Sequence, residues 1–216
     1  MKKIISTAMV VLIFFTVLTG YAHADYYSHN ITLRHGMRHS EVITLQDDLR
    51  NLGFFNFHTS TGYFGDITRD AVMAYQRSRN LNVDGIVGTQ TARQLKVEKV
   101  MWMANFFQDV KYVWGGTSPS GFDCSGYTHY VLFRNGIIIP RVSRDQYDAG
   151  TWVQRNQLRF GDLVFFTTIA PGPSHVGFYL GNNNFIHASS GAGRVIISSL
   201  NNPYYSQRYI GSKRVI

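Results

Sequence analysis

His175-Val176-Gly177-Phe178-Tyr179-Leu180 is followed by Gly181-Asn182-Asn183 and then by Asn184-Phe185-Ile186-His187-Ala188. The first six residues alternate, with Val176, Phe178 and Leu180 on one face and His175, Gly177 and Tyr179 on the other, which is the period of a strand. Gly-Asn-Asn is turn material, so the whole stretch predicts an antiparallel hairpin. With a three-residue loop, Leu180 pairs with Asn184 and Gly177 pairs with His187. His187 then shares a face with His175 and lies diagonal to it, roughly 7–8 Å away between backbones. Gly177 leaves no side chain between them. A two-residue loop would move His187 to the opposite face, so the pairing of the two histidines depends on register.

Working upstream, Tyr112-Val113-Trp114-Gly115-Gly116 leads through a Ser/Pro/Gly loop to Asp123-Cys124-Ser125-Gly126. Tyr127, Tyr130 and Val131 then fall at helical spacing, and Gly136 closes the run. Cys124 is therefore expected at or near a helix N-terminus, where unpaired N–H groups and the helix dipole favour a thiolate. Asp123 fits either an N-cap or a substrate contact. Of the remaining histidines, His29, His35, His39 and His58 lie in the N-terminal third, and His129 points away from the start of its helix. His175 and His187 are left to serve the thiol. The arrangement predicts a triad in which Cys124 attacks, His175 takes and returns the proton, and His187 orients His175. Asp162 reads as a turn or capping residue, and Trp114 and Trp152 fit a cleft or a core equally well.

Cys124 is the only cysteine among 216 residues. The first 24 residues read as a secretory signal. Lys2 and Lys3 precede a mostly apolar run from Ile4 to Leu18, and Ala22-His23-Ala24 is a small-residue cleavage site. Ser6, Thr7 and Thr16 dilute that run, which falls short of the ~20 residues of a spanning helix. A single cysteine in an exported chain cannot form an internal disulfide, so a functional thiol is favoured over an inert one. The formal charge of +8 falls to +6 once Lys2 and Lys3 are removed, which suits attraction to an anionic polymer. The basic residues are scattered rather than striped, which argues against nucleic acid. No His/Cys/Asp/Glu cluster has metal-ligand spacing, so neither metal nor other cofactor is expected.

The N-terminal third has a different texture. Residues 25–37 are polar and rich in His and Tyr, and read as a tail. Val42, Leu45, Leu49 and Leu52 recur at helical spacing, with Gly53 as C-cap. Ala71, Val72 and Tyr75 share a face of a second helix with Asp66 as candidate N-cap, and Thr89 or Thr91 opens a short third helix ending near Leu95. Lys96 to Lys99 is a brief polar join without Pro, Gly or Ser. A new amphipathic run begins at Val100, so the two halves are expected to be close-coupled through nearly continuous helix.

These residues resemble a known small domain. Val42-x-x-Leu45-Gln46, Leu49-x-x-Leu52-Gly53-Phe54, Gly62-Tyr63-Phe64-Gly65 and Val83-Asp84-Gly85-Ile86-Val87-Gly88 are similar to a three-helix peptidoglycan-binding domain. Downstream, Tyr112-Val-Trp-Gly-Gly, Phe122-Asp-Cys-Ser-Gly, Gly161-Asp-Leu-Val-Phe-Phe, His175-Val-Gly-Phe-Tyr-Leu-Gly and Phe185-Ile-His-Ala resemble the NlpC family of cell-wall cysteine peptidases. The resemblance implies a papain-like α+β catalytic domain, helices packed on an antiparallel sheet, over residues 97–216. It is preceded by an all-α domain over 38–96. It further implies hydrolysis of peptidoglycan stem peptides, typically between γ-D-glutamyl and diaminopimelate or lysine. Cys124 matches the nucleophile, His175 the base and His187 the third polar residue. Tyr112 matches a tyrosine beside the nucleophile, and Asp123 and Ser125 flank the substrate cleft. Asp109, Lys111 and the Pro-rich loop 169–174 depart from the family pattern and leave substrate preference open. The expected protein is a secreted, wall-associated monomer whose partner is peptidoglycan, with no nucleic acid and no stable membrane insertion after signal cleavage. The alternatives are a cysteine-dependent amidase or acyltransferase on another acyl substrate, and a catalytically idle wall-binding protein.

Overall fold

The computed structural model describes residues 31–216. The expected signal segment 1–24 and the first part of the expected tail, 25–30, lie outside the described residues. Three helices come first: α1 (Ser40–Asn51), α2 (Asp66–Ser78) and α3 (Thr89–Phe106). Val42, Leu45 and Leu49 of α1 meet Val72 and Tyr75 of α2 and Leu95 of α3 in one apolar core. Gly53 takes φ +82° just past α1, a left-handed position that glycine fills without a Cβ penalty. Two buried glutamines tie the loops to this core. Gln46 donates to the Tyr63 carbonyl at 3.0 Å and accepts from the Gly62 N–H. Gln76 donates to the Ile86 carbonyl at 2.9 Å and accepts from the Gly85 N–H.

Two features differ from the sequence reading. Residues 31–37 are not a loose tail, because Leu33 is buried in the helical core and bridges Val87 in antiparallel fashion. The third helix does not end near Leu95 but runs on to Phe106, so the expected near-continuous join is a single helix. No glycine or proline falls between Leu95 and Phe106, so nothing in the sequence ends it. Thr91 and Leu95 face the first core, while Val100, Met101 and Ala104 belong to the second. A boundary at 96/97 therefore falls within one helix. Glu98 on α3 takes a two-pronged ion pair from Arg79, at 2.6 and 2.8 Å, and accepts from the Tyr75 hydroxyl at 3.1 Å. These contacts hold α3 to α2 at the join.

The second half contains a short ribbon, β1 (Thr117–Ser118) and β2 (Gly121–Phe122), then α4 (Cys124–Arg134) and α5 (Ser143–Asp148). There follow β3 (Thr151–Val153), β4 (Leu163–Phe166), β5 (His175–Gly181), β6 (Asn184–Ser189), β7 (Arg194–Ser199), the short α6 (Pro203–Ser206) and β8 (Tyr209–Arg214). The six longer strands form one antiparallel sheet in the order β3-β8-β4-β5-β6-β7. Tyr127, Val131 and Leu132 of α4 pack with Val176, Phe178 and Ile186 on one face. Phe166, Tyr179, Phe185 and Leu200 make a smaller cluster on the other. The architecture is an α+β domain preceded by a helical one, as the sequence implied. Asp162 is a structural residue: it is buried, held by Arg214 at 2.8 Å, and accepts from the Arg159 N–H.

Candidate active site

The β5–β6 hairpin keeps the expected faces by a different route. Its turn has two residues, Asn182 and Asn183, with φ of +50° and +58°, and Gly181 pairs with Asn184. Asparagine tolerates this left-handed pair better than most residues, which suits a tight hairpin turn. A two-residue loop alone would have turned His187 to the wrong face. The register shifts between Tyr179 and Gly181, however, and the bulge there absorbs one residue. Tyr179 still meets Phe185 and Phe178 still meets Ile186, the pairing a three-residue loop would impose. The outcome is a direct contact: His175 Nε2 lies 2.8 Å from His187 Nδ1. Gly177 makes room for it, since a Cβ there would sit 2.9 Å from His187 Cβ and 2.7 Å from the Ile186 carbonyl oxygen.

Cys124 is the first residue of α4. Asp123 is its N-cap, with Oδ1 accepting the Gly126 N–H at 2.7 Å. Its other oxygen accepts from the Gly115 N–H at 3.0 Å and pairs with Arg141 at 2.7 Å. Arg141 also donates to Ser125 Oγ at 2.9 Å. Of the two readings of Asp123, capping is the one the geometry displays, although Asp123 and Ser125 both line the cavity in front of the thiol. Arg141 was not singled out from sequence. A lone arginine following Ile137-Ile138-Ile139-Pro140 was the available signal.

The cavity has a volume of about 610 Å³ and is open to solvent. Cys124, His175, Tyr112 and Ser125 lie in its wall, with Trp114 and Ile169 at its exposed rim. Trp152 stands elsewhere, edge-on to Tyr147. Cys124 Sγ lies 4.0 Å from the Ser174 carbonyl oxygen, and the Val176 N–H is also directed at it. The thiol thus sits against the backbone on either side of His175. Because Nε2 of that imidazole is engaged with His187, Nδ1 is the nitrogen left for the thiol. His129 bonds the Ile139 carbonyl at 2.9 Å and is remote from this arrangement, as its place on α4 suggested.

The charge states differ from the sequence expectation. Burial pushes the Cys124 thiol up to about 11, assisted by the negative charge of Asp123. The backbone N–H groups of Val176, Ser125 and Cys124 oppose this shift. The helix start supplies donors as expected, but desolvation outweighs them. Burial lowers His175 to about 4, and lowers His187 further below the ordinary range with help from His175. At neutral pH the resting pair is a thiol beside a neutral imidazole. Burial raises the Tyr112 phenol, with a further rise from Cys124 and Asp123, and Tyr112 shares the cavity wall with the thiol.

Residues 109–214 match the NlpC/P60 family, and residues 38–95 match the "Putative peptidoglycan binding domain". The chain is 47% identical over 123 residues to the "Probable peptidoglycan endopeptidase LytE" of Bacillus subtilis, covering 56% of this chain and 35% of that protein. It is 45% identical over 111 residues to the "Murein DD-endopeptidase MepS/Murein LD-carboxypeptidase" of Escherichia coli K12, covering 51% of this chain and 58% of that one. It therefore spans between about a third and three-fifths of the length of these curated relatives. Among solved structures, the P60 domain of an antigen from Mycobacterium avium subspecies paratuberculosis aligns with a TM-score of 0.50 and 34% identity. That alignment covers 57% of this chain and 96% of that domain. On these matches, and on the fold and cavity they coincide with, the chain belongs to the NlpC/P60 family.

Proposed function

We propose that this protein is a peptidoglycan endopeptidase that cuts stem peptides through a Cys124–His175–His187 triad and is delivered to the wall by residues 38–95. The observation that carries the reading is the open cavity holding both the Cys124 thiol and His175, whose Nε2 is fixed by His187. The names of LytE and MepS agree with it. In the acylation step, His175 Nδ1 takes the thiol proton as sulfur bonds to the scissile carbonyl carbon. The tetrahedral oxyanion receives the Cys124 N–H at the start of α4. The C–N bond then breaks, His175 returns the proton to the leaving amine, and a thioester remains. Water attacks that thioester with His175 again as base, releasing the carboxylate and restoring the thiol. Residues 1–24 act as a cleaved secretory signal in this proposal, and the mature chain works outside the membrane on the wall.

The bond proposed is the one between γ-D-glutamyl and diaminopimelate or lysine. The name of MepS favours a second reading, the D,D cross-link. Mass spectrometry of digested peptidoglycan separates them, since the first yields new amino termini on diaminopimelate or lysine and the second separates cross-linked stems. Release of glycan fragments alone would overturn the whole class.

The charge states carry a pH prediction. The base must be neutral to accept a proton, and His175 is neutral above about 4. We expect kcat/KM for stem-peptide hydrolysis to be flat through neutrality and to fall as pH drops through about 4, rather than at the 6.5 of an ordinary imidazole. Rates from pH 3 to 8, with circular dichroism to confirm folding at each pH, test this. An acid limb at 6.5 or above would refute it.

A further inference from the structure

His187 is fully buried, and both of its ring nitrogens are engaged. Nδ1 faces His175, while Nε2 lies 3.0 Å from Ser198 Oγ and 3.4 Å from the Tyr205 hydroxyl. Ser198 sits on β7 opposite Phe185, on the sheet face that His187 shares. Tyr205 approaches from α6, its ring edge-on to His187 at 5.3 Å. The hydroxyls of Ser198 and Ser189 lie close enough to the Tyr205 phenol to oppose the rise that burial gives it. The triad itself uses none of the Ser198, Ser189 and Tyr205 hydroxyls.

We infer that Ser198 is a positioning residue that selects the working tautomer of both histidines. This rests on the triad proposed above. His175 can receive the thiol proton at Nδ1 only if its own proton is on Nε2. That Nε2–H must donate to His187 Nδ1, so His187 must carry its proton on Nε2. The opposite tautomer of His187 would donate from Nδ1, force the His175 proton onto Nδ1 and block the base. Ser198 is the nearer acceptor for the His187 Nε2–H. Its own O–H can turn toward the Tyr205 oxygen, which leaves its lone pairs for the histidine. The chain of donors then runs in one direction, from His175 to His187 to Ser198 to Tyr205. Without the Ser198 oxygen, the His187 Nε2–H keeps only a 3.4 Å contact to Tyr205. The Tyr205 O–H can then donate to an unprotonated Nε2, which stabilises the idle tautomer.

The test uses the full mature chain, with Ser198→Ala, Ser198→Thr and Tyr205→Phe as variants. Three quantities are read: kcat and KM on stem peptide, the rate of Cys124 alkylation by iodoacetamide at pH 7, and the ¹⁵N shifts of the histidine rings. Ser198→Ala should lower kcat and the alkylation rate about tenfold with KM within about twofold, in the range of other orienting partners. The ¹⁵N spectrum should show His175 losing its Nε2–H form, Ser198→Thr should restore all three readouts, and Tyr205→Phe should do less than Ser198→Ala. Alkylation and ring tautomers need no peptidoglycan, so they still read the inference if the proposed substrate is wrong. Unchanged alkylation and tautomers in Ser198→Ala would overturn it. So would slowed alkylation with wild-type tautomers, failure of threonine to restore them, or a larger effect in Tyr205→Phe.

Discussion

Cys124→Ala lowers release of stem-peptide fragments to background, a loss on the order of 10⁶-fold, as expected when a covalent nucleophile is removed from a concerted set. No other cysteine exists to take its place. Serine is a poorer test, because a hydroxyl could retain a trace of attack with His175 still in position. Alanine removes only the sulfur and leaves the Asp123 cap and its bonds to Gly115, Gly126 and Arg141 in place. The thiol is one buried member of the core beneath α4, so its removal leaves a small cavity and thermal unfolding should fall by a few degrees. Wall binding should persist, because residues 38–95 have their own core around Leu45, Val72 and Tyr75. The variant should therefore pull down with intact peptidoglycan as well as the parent while releasing nothing. Retained hydrolysis would refute the nucleophile assignment. Lost hydrolysis with lost binding would instead point to damage carried along α3, which contributes to both cores.

The candidate side chains were easier to read from the sequence than the backbone that presents them. Strand period with an assumed three-residue loop put His175 and His187 on one face, and the lone thiol at a helix start was visible from Asp123-Cys124-Ser125-Gly126. The turn that joins the histidines was not legible. Gly-Asn-Asn allows two or three loop residues, and a bulge at Leu180 is settled by neighbouring strands rather than by local propensity. The continuity of α3 was half legible: no breaker interrupts it, yet Lys96 to Lys99 reads as a polar join. Glu98 and Lys99 are polar because they pair with Arg79 and Asp48 across the helical domain, which only tertiary contact discloses. Leu33 was hidden in the same way, since the few apolar residues of 31–37 show no period, and it closes the core by bridging Val87. Two opposing effects act on the ionisation of the thiol. Helix position argues for a thiolate, while the burial that opposes it comes from the sheet and from loop 169–174. Ser198 carries no signal at all, being one of two adjacent serines on β7.

The second large effect concerns the two histidines, whose losses should be unequal. His175→Ala removes the group that takes and returns the proton, and should lower kcat by about 10⁴-fold, the upper end for general acid–base catalysis. His187→Ala leaves the base present but its Nε2–H without an acceptor in a buried site, so the ring can turn or change tautomer; about 10²-fold is expected. His187→Asn separates orientation from packing. The amide oxygen of asparagine lies at about the reach of an imidazole Nδ1 and can still accept from His175, so this variant should recover about tenfold over alanine. His187 also stacks on Phe185 at 4.6 Å, and its truncation opens space on that face of the sheet. Thermal unfolding of His187→Ala and His187→Asn therefore has to accompany the kinetics, with similar midpoints expected for the two. If His187 mattered only as packing, kcat would follow stability and asparagine would gain nothing. If His187→Ala proved as damaging as His175→Ala, or more so, the order of proton acceptor and orienting partner would have to be reversed. Iodoacetamide alkylation at pH 7 provides the same ranking without substrate. The thiol in His175→Ala has no base and should react slowest, and His187→Asn should lie nearest the parent.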